Sequence, residues 1–207
     1  VCGLIIPWNY PLAMACWKIG PCLASGSTAI LKPAEQSPLT ALKLAELIEE
    51  AGFPAGAINI LPGYGKDGAG QALVEHPGVN KIAFTGESKT AEIIKKLTAS
   101  SDKRLSFELG GKSPNIILKD ANFEEAVEGA IGAIFSNQGQ NCCAGSRTYI
   151  DKSIYSDFIG CFAEKASSRV IGDPFDYKTE HGTLIDKAQF DKTLQYIKLG
   201  NSEGAKC

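Results

Sequence analysis

"STAILKPAEQSPLTALKLAELIEEAGFPAGAINILPG", residues 27–63, decides the fold. A short apolar run ("STAILKP", 27–33) is followed by a segment whose apolar residues recur every three or four positions, and then by a second run ("AINILPG", 57–63). Strand, helix, strand in this order is the unit of a parallel sheet with crossover helices. The helix is expected over 38–51. Ser37 can cap it, Pro38 suits its first turn, Leu42, Ala45 and Ile48 with Leu44, Leu47 and Ala51 trace an apolar face, and Gly52 ends it. Outward from this unit, "CGLIIPW" (2–8) and "NKIAFTG" (80–86) read as two further strands, with helices expected at 66–75 and 88–99.

Beyond "LSFELGGKSPNIIL" (105–118) the rhythm continues with a helix at 122–135, a cysteine-bearing loop, a strand "RTYID" (147–151) and a long helix across 154–170. The turn-rich "ELGGKSP" between the two regions predicts a boundary near Gly110–Gly111, giving domains 1–110 and 111–207. The 207 residues, 44% hydrophobic and 21% charged, suffice for one large domain or two small ones. A net charge of −2 disfavours nucleic acid or an anionic membrane as partner. The longest mostly apolar stretch, "PLAMACWKIGPCLASG" (11–26), is broken by Lys18, Gly20 and Pro21, short of the roughly 20 apolar residues of a membrane span. Val1 lies inside an apolar run and Cys207 follows "SEGAK", so both ends read as internal to a longer protein.

The seven cysteines are scattered and form no CxxC pair, a pattern of reduced thiols in an intracellular compartment. His76 and His181 lie away from any cysteine cluster, so no metal site is expected. "FSNQGQNCCAGSRTYI" (135–150) sets Cys142 beside Cys143 among small and polar residues. Consecutive cysteines are poorly placed to bond to each other, which leaves metal ligation, packing, or one nucleophilic thiol with a bystander.

Because open α/β sheets bind ligands beyond the carboxyl ends of their strands, the strand ends carry the other candidates. Asn9, in "PWN", can donate to a developing oxyanion or simply stabilise a turn. Lys32 and Glu35, three apart after a strand, suit ribose hydroxyls or form a surface ion pair. "FTGESKTAE" (84–92) has the layout of a phosphate-holding helix start or of an ordinary strand-to-helix turn. Glu108, between Phe107 and Leu109 and next to two glycines, is either partly desolvated and a general base or a solvated turn carboxylate.

Taken together, "IIPWNYPL", "ILKPAEQSPLTAL", "FTGESKTAE", "FELGGKSPNII", "FSNQGQNCCAGSR" and "GDPFDYKTEHGTLIDKAQF", in this order, resemble the NAD(P)-dependent aldehyde dehydrogenase superfamily, in particular its general aliphatic and retinal-type members. The resemblance runs over essentially the whole chain and covers less than half of a typical member. It implies a Rossmann-like coenzyme-binding domain followed by part of an α/β catalytic domain, and oxidation of aldehydes to carboxylic acids with NAD, rather than NADP, through a cysteine thioester.

The G-Q/E-x-C pattern, here Gly139-Gln140-Asn141-Cys142, makes Cys142 the catalytic cysteine by that resemblance, with Cys143 the bystander. It implies further that Glu108 activates the hydrolytic water and that the Asn9 amide with the Cys142 N–H holds the oxyanion. Coenzyme contacts are implied at Ile5, Pro7, Trp8, Lys32, Glu35, Gly65, Phe84, Gly86, Glu87, Leu109, Gln189 and Lys192. A small-molecule aldehyde, a homo-oligomeric dimer or tetramer, and a cytoplasmic or mitochondrial location are the corresponding expectations.

Two positions depart from the family's G-S-x-x-x-G turn: Glu87 follows Gly86, and Ala91 stands for the last glycine. Glu87 places a carboxylate where a diphosphate is expected, unless it turns outward or pairs with a cation such as Lys89. A CoA-acylating dehydrogenase, disfavoured by Glu108, a non-catalytic family member, and a cysteine hydrolase pairing Cys142 with His76 or His181 are the competing readings.

Overall fold

The computed structural model describes residues 1–206, and Cys207 lies outside the described residues. The chain divides into two compact units, Val1–Gly110 and Gly111–Cys207.

In the first unit β1 (Cys2–Ile5), β2 (Ala29–Lys32), β3 (Ile58–Ile60), β4 (Lys81–Gly86) and β5 (Arg104–Leu109) form one sheet of order β3-β2-β1-β4-β5, in which every pairing is parallel. The chain winds outward from β1 to β3, then restarts at β4 on the other side of β1. Between β1 and β4 it therefore has a topological switch point, where successive connections leave in opposite directions and open a crevice.

Period-two alternation divides the side chains between the two faces. Leu4, Leu31 and Ala83 face one way and pack with Ala15 and Ile19 of α1 (Pro11–Ala24) and Ala41 of α2 (Leu39–Glu50). Ile5, Ile30, Ile82 and Phe84 face the other and pack with Leu73 and Val74 of α3 (Ala69–Glu75) and Ala91 and Ile94 of α4 (Ser88–Leu97). Both faces are covered, which is why these strands read as continuous apolar runs.

Helix α2 corrects two details of the expectation. Ser37 does not cap it; the Ser37 hydroxyl donates to the Trp8 carbonyl at 3.0 Å, tying the loop after β2 to the loop after β1. Its inward face runs through Ala41, Leu44 and Ile48, while Leu42 and Leu47 are exposed. The 3.6-residue period narrows the choice of face, and the height of the helix above the sheet makes it. Its C-terminus follows expectation: Gly52 at φ +78° lets the Gly52 N–H donate to Glu49 O (2.9 Å) and Phe53 N–H to Ile48 O (3.4 Å), a Schellman closure.

The second unit pairs β6 (Pro114–Ile117) with β7 (Arg147–Ile150), again in parallel. Against them pack α5 (Phe123–Phe135), capped by the Asn122 side chain, and α6 (Tyr155–Ser167), with Phe158 fully buried among Ile117, Val127 and Ala130. A further helix, α7 (Lys187–Ser202), is capped by Asp186, whose carboxylate accepts from Gln189 N–H at 2.8 Å.

Candidate active site

At the switch point of the first unit the strand ends enclose a cleft of about 590 Å³. Ile5, Pro7 and Trp8 reach it from the end of β1, Lys32 and Glu35 from β2, Gly65 from the loop before α3, and Phe84, Gly86 and Glu87 from β4. Nine sequence-predicted residues are thus brought to one cavity. Leu109 ends β5 in register with Gly86, and Asn9 lies half-buried in the bend ahead of α1; neither lines the cleft. Gln189 and Lys192 are on α7 of the second unit.

Lys32 and Glu35 form a built pair. Lys32, 3% exposed, donates from Nζ to Glu35 Oε1 at 2.9 Å and to the Pro33 carbonyl at 3.0 Å. Partial burial works to push the Glu35 carboxyl up; the Lys32 ammonium and the backbone N–H groups of Glu35 and Gly65 outweigh it and hold the carboxyl below its usual range. The result is a fixed carboxylate at the cleft edge whose free lone pairs suit hydroxyl donors. Gly70, in the first turn of α3, has to be glycine, because a Cβ there would lie 2.8 Å from the Gly65 Cα.

Sequence reasoning missed two residues. Thr85, at the end of β4 among the cleft-lining residues, has its hydroxyl buried without a hydrogen-bond partner. Its signal was masked by the apolar run around it. Lys18, on α1, faces Glu108 and Lys81. Burial lowers its pKa to about 8, the Glu108 carboxylate opposing that fall and the Lys81 ammonium adding to it. An amine so close to neutral can exchange protons at physiological pH. A lysine in an apolar helix stretch, partnered by a strand some ninety positions on, leaves no local pattern.

Glu108 is exposed, which of the two alternatives read from the sequence favours the solvated carboxylate over the partly desolvated one. Phe107 and Leu109 are its chain neighbours, but strand alternation sends them to the opposite face, where they pack under α4. The Glu108 side chain stands instead on the Lys18 side of the sheet.

In the second unit Cys142 is exposed in the loop between α5 and β7. Ahead of it Asn137 (φ +51°), Gln138 (φ +57°) and Gly139 (φ +71°) run consecutively through the left-handed region, which costs a non-glycine residue roughly 1–2 kcal/mol. After it Gly145 comes close to Ala133 and Asn115, where a Cβ would lie 3.1 and 3.2 Å from theirs. Both thiols point at one acceptor: Cys143 Sγ donates to Asn141 Oδ1 at 3.2 Å, and Cys142 Sγ approaches it at 3.8 Å.

Burial of its sulfur pushes the Cys142 thiol up although the residue as a whole is exposed, and the Cys143 thiol adds to the rise as a neighbouring charge and hydrogen-bond partner. The loop therefore does not by itself supply a depressed thiol. In coenzyme-free protein, alkylation of Cys142 by iodoacetamide is expected to increase with pH around a midpoint above the ordinary thiol value of about 8.5. A midpoint at or below that value would contradict the raised thiol.

The family described as "Aldehyde dehydrogenase family" matches residues 1–207. The chain belongs to that family. Among curated relatives, "Aldehyde dehydrogenase, mitochondrial" of Homo sapiens is 54% identical over all 207 residues, which cover 40% of its length. "Retinal dehydrogenase 2" of Homo sapiens is also 54% identical, with the same coverage of 100% of this chain and 40% of the relative. Among solved structures, the NAD+ complex of an aldehyde dehydrogenase from Bacillus cereus superposes with a TM-score of 0.95 at 46% identity, over 98% of this chain and 41% of that one. This aldehyde dehydrogenase chain thus spans about two fifths of the length of the relatives it matches.

Proposed function

We propose that the full protein carrying this chain is an NAD-dependent aldehyde dehydrogenase of the general aliphatic type, which oxidises aldehydes to carboxylic acids through a thioester on Cys142. The observation that carries the reading is the cleft at the switch point, with the Lys32 and Glu35 pair at its edge. The first unit then serves coenzyme binding and the second carries the nucleophile.

The residues present fit NAD. The Glu35 carboxylate, held ionised by Lys32 and Gly65, accepts from ribose hydroxyls and repels a 2′-phosphate, which favours NAD over NADP. The start of α4 gives donors at the cleft, and Ile5, Pro7, Trp8 and Phe84 give it apolar walls. Leu109, Gln189 and Lys192 are further contacts in this reading. Bound NAD supplies the hydride acceptor.

The chain's own residues take the remaining roles. Cys142, as thiolate, adds to the aldehyde carbonyl, and the Asn9 amide with the Cys142 N–H donates to the oxyanion. After oxidation Glu108 draws a proton from water, which attacks the thioester and frees the carboxylate. Lys18, whose pKa is lowered to about 8 and whose charge is felt by Glu108, is suited to passing that proton on toward solvent. The reading also takes the protein as a homo-oligomer, dimer or tetramer, in the cytoplasm or mitochondrion.

The test is NADH formation by the full-length protein with a short aliphatic aldehyde and NAD, without CoA. Turnover is expected. A requirement for CoA would move the reading to acyl transfer, and no turnover with any aldehyde, with NAD or NADP, would move it to a non-catalytic family member.

Glu87, which lines the cleft and immediately precedes α4, tempers the affinity. A carboxylate near a diphosphate in a water-exposed cleft opposes binding by about 1 kcal/mol. Glu87→Ser is expected to tighten the NAD dissociation constant by roughly five-fold at low salt, less at high salt. An unchanged constant in isothermal titration would show that Glu87 turns away from the coenzyme.

A further inference from the structure

The turn ahead of Cys142 is held in a conformation its residues disfavour, since Asn137 and Gln138 carry side chains at positive φ. Local bonds close it: Gln140 N–H donates to Asn137 O at 3.0 Å, and the side-chain amides of Asn137 and Gln140 each donate to the other residue's carbonyl at 3.3 Å. Closing a turn does not orient it.

Two bonds to a distant segment do. Ile185 N–H donates to Gln140 Oε1 at 3.0 Å. With its amide assigned so that oxygen meets a donor and nitrogen an acceptor, Gln138 accepts the Gly182 N–H at 3.2 Å and donates to Asn137 O at 3.3 Å. The distant segment is itself seated. Gly172 N–H donates to His181 O at 3.2 Å, and the His181 ring stands edge-on to Phe135, the last residue of α5. Each glutamine thus accepts outward from this strap and donates inward to the turn, a pair of duties that a primary amide fulfils and a hydroxyl or aliphatic side chain does not.

We propose that Gln138 and Gln140 are positioning residues for Cys142: their side-chain oxygens, by accepting the backbone N–H groups of Gly182 and Ile185, fix the direction in which the Cys142 sulfur leaves the turn. This rests on Cys142 being the nucleophile, as proposed above. The two glutamines act through the turn and touch no reacting atom. Of the two bonds, that to Gln140 is shorter and closer to the thiol, so its loss has the larger consequence.

The test compares Gln140→Leu, which keeps the bulk and loses the acceptor, with Gln140→Glu, which keeps an acceptor for Ile185 N–H. Both are made in the full-length protein. Three quantities are read: kcat, the KM for NAD, and the share of iodoacetamide label on Cys142 against Cys143, determined by peptide mass spectrometry. Gln140→Leu is expected to lower kcat about ten-fold or more with KM for NAD nearly unchanged, and to shift label from Cys142 toward Cys143. Gln140→Glu is expected to recover most of both.

Equal kcat and equal labelling in Gln140→Leu and wild type would overturn the proposal, as would a Gln140→Glu variant as impaired as Gln140→Leu. If Gln140→Leu does not fold, as judged by circular dichroism and thermal melting, Gln140→Asn, one methylene too short to reach Ile185 N–H, takes its place with the same expected and overturning results. The labelling ratio needs no turnover. A wild type that labels at Cys142 but makes no NADH would therefore refute the dehydrogenase reading while leaving the tether tested on its own.

Discussion

Cys142→Ala is expected to abolish NADH formation by the full-length protein, by roughly 10³-fold or more in kcat, while Cys143→Ala retains most of it. The asymmetry is the informative part. The two thiols are neighbours in sequence, share Asn141 Oδ1 as acceptor and are both exposed, so a merely structural role for the cysteine loop would make the two substitutions comparable. A nucleophile cannot be replaced by its neighbour, because the C–S bond to the substrate requires one sulfur at one position. Binding of NAD to Cys142→Ala, measured by titration, is expected to stay near wild type, since Cys142 is not among the residues that line the cleft. Equal loss in both alanine variants would remove Cys142 from the role of nucleophile.

Glu108→Gln is expected to lower steady-state kcat by about 10²- to 10⁴-fold, the usual contribution of a positioned general base. The substitution is nearly isosteric, and Glu108 is exposed on an edge strand, so it should leave thermal stability almost unchanged. A rapid first turnover separates the steps. If Glu108 acts on the hydrolytic water, mixing the variant with aldehyde and NAD gives a burst of NADH close to one per active site, followed by slow release of acid. Loss of the burst as well would place Glu108 in thiol activation, a role the raised Cys142 thiol leaves open. An unchanged kcat would exclude Glu108 as the base altogether. The Lys18 amine beside it makes a secondary readout: with Glu108 neutralised, the attraction opposing the fall in the Lys18 pKa is lost, and Lys18 is expected to deprotonate at lower pH.

The parallel sheet was legible from residues 27–63 because both of its faces are covered. The central strands, covered on both sides, are mostly apolar, and with the edge run ending at Gly63 the runs ending at Trp8, Pro33 and Gly86 declare themselves without any partner in view. The strand ends were legible as candidate positions because open α/β sheets gather them along one edge, and nine of the residues named from the strand ends and the family resemblance line one cleft. The faces of helices were less so. For α2 the period admits both Leu42 and Ala41, and only the sheet beneath selects Ala41 as the buried one.

The sequence by itself determined the order of strands and helices, the thiol pair at 142 and 143, and the acidic residue three positions beyond Lys32, since each is written in adjacent positions or in a short period. Only the tertiary structure decided that Glu108 and Lys18 come within electrostatic range of each other, that the Thr85 hydroxyl is buried without a partner, and which backbone groups restrain the left-handed turn before Cys142. Those relations join residues tens of positions apart through burial and single hydrogen bonds. Such contacts depend on the packing of whole elements, and a chain read position by position carries no trace of them.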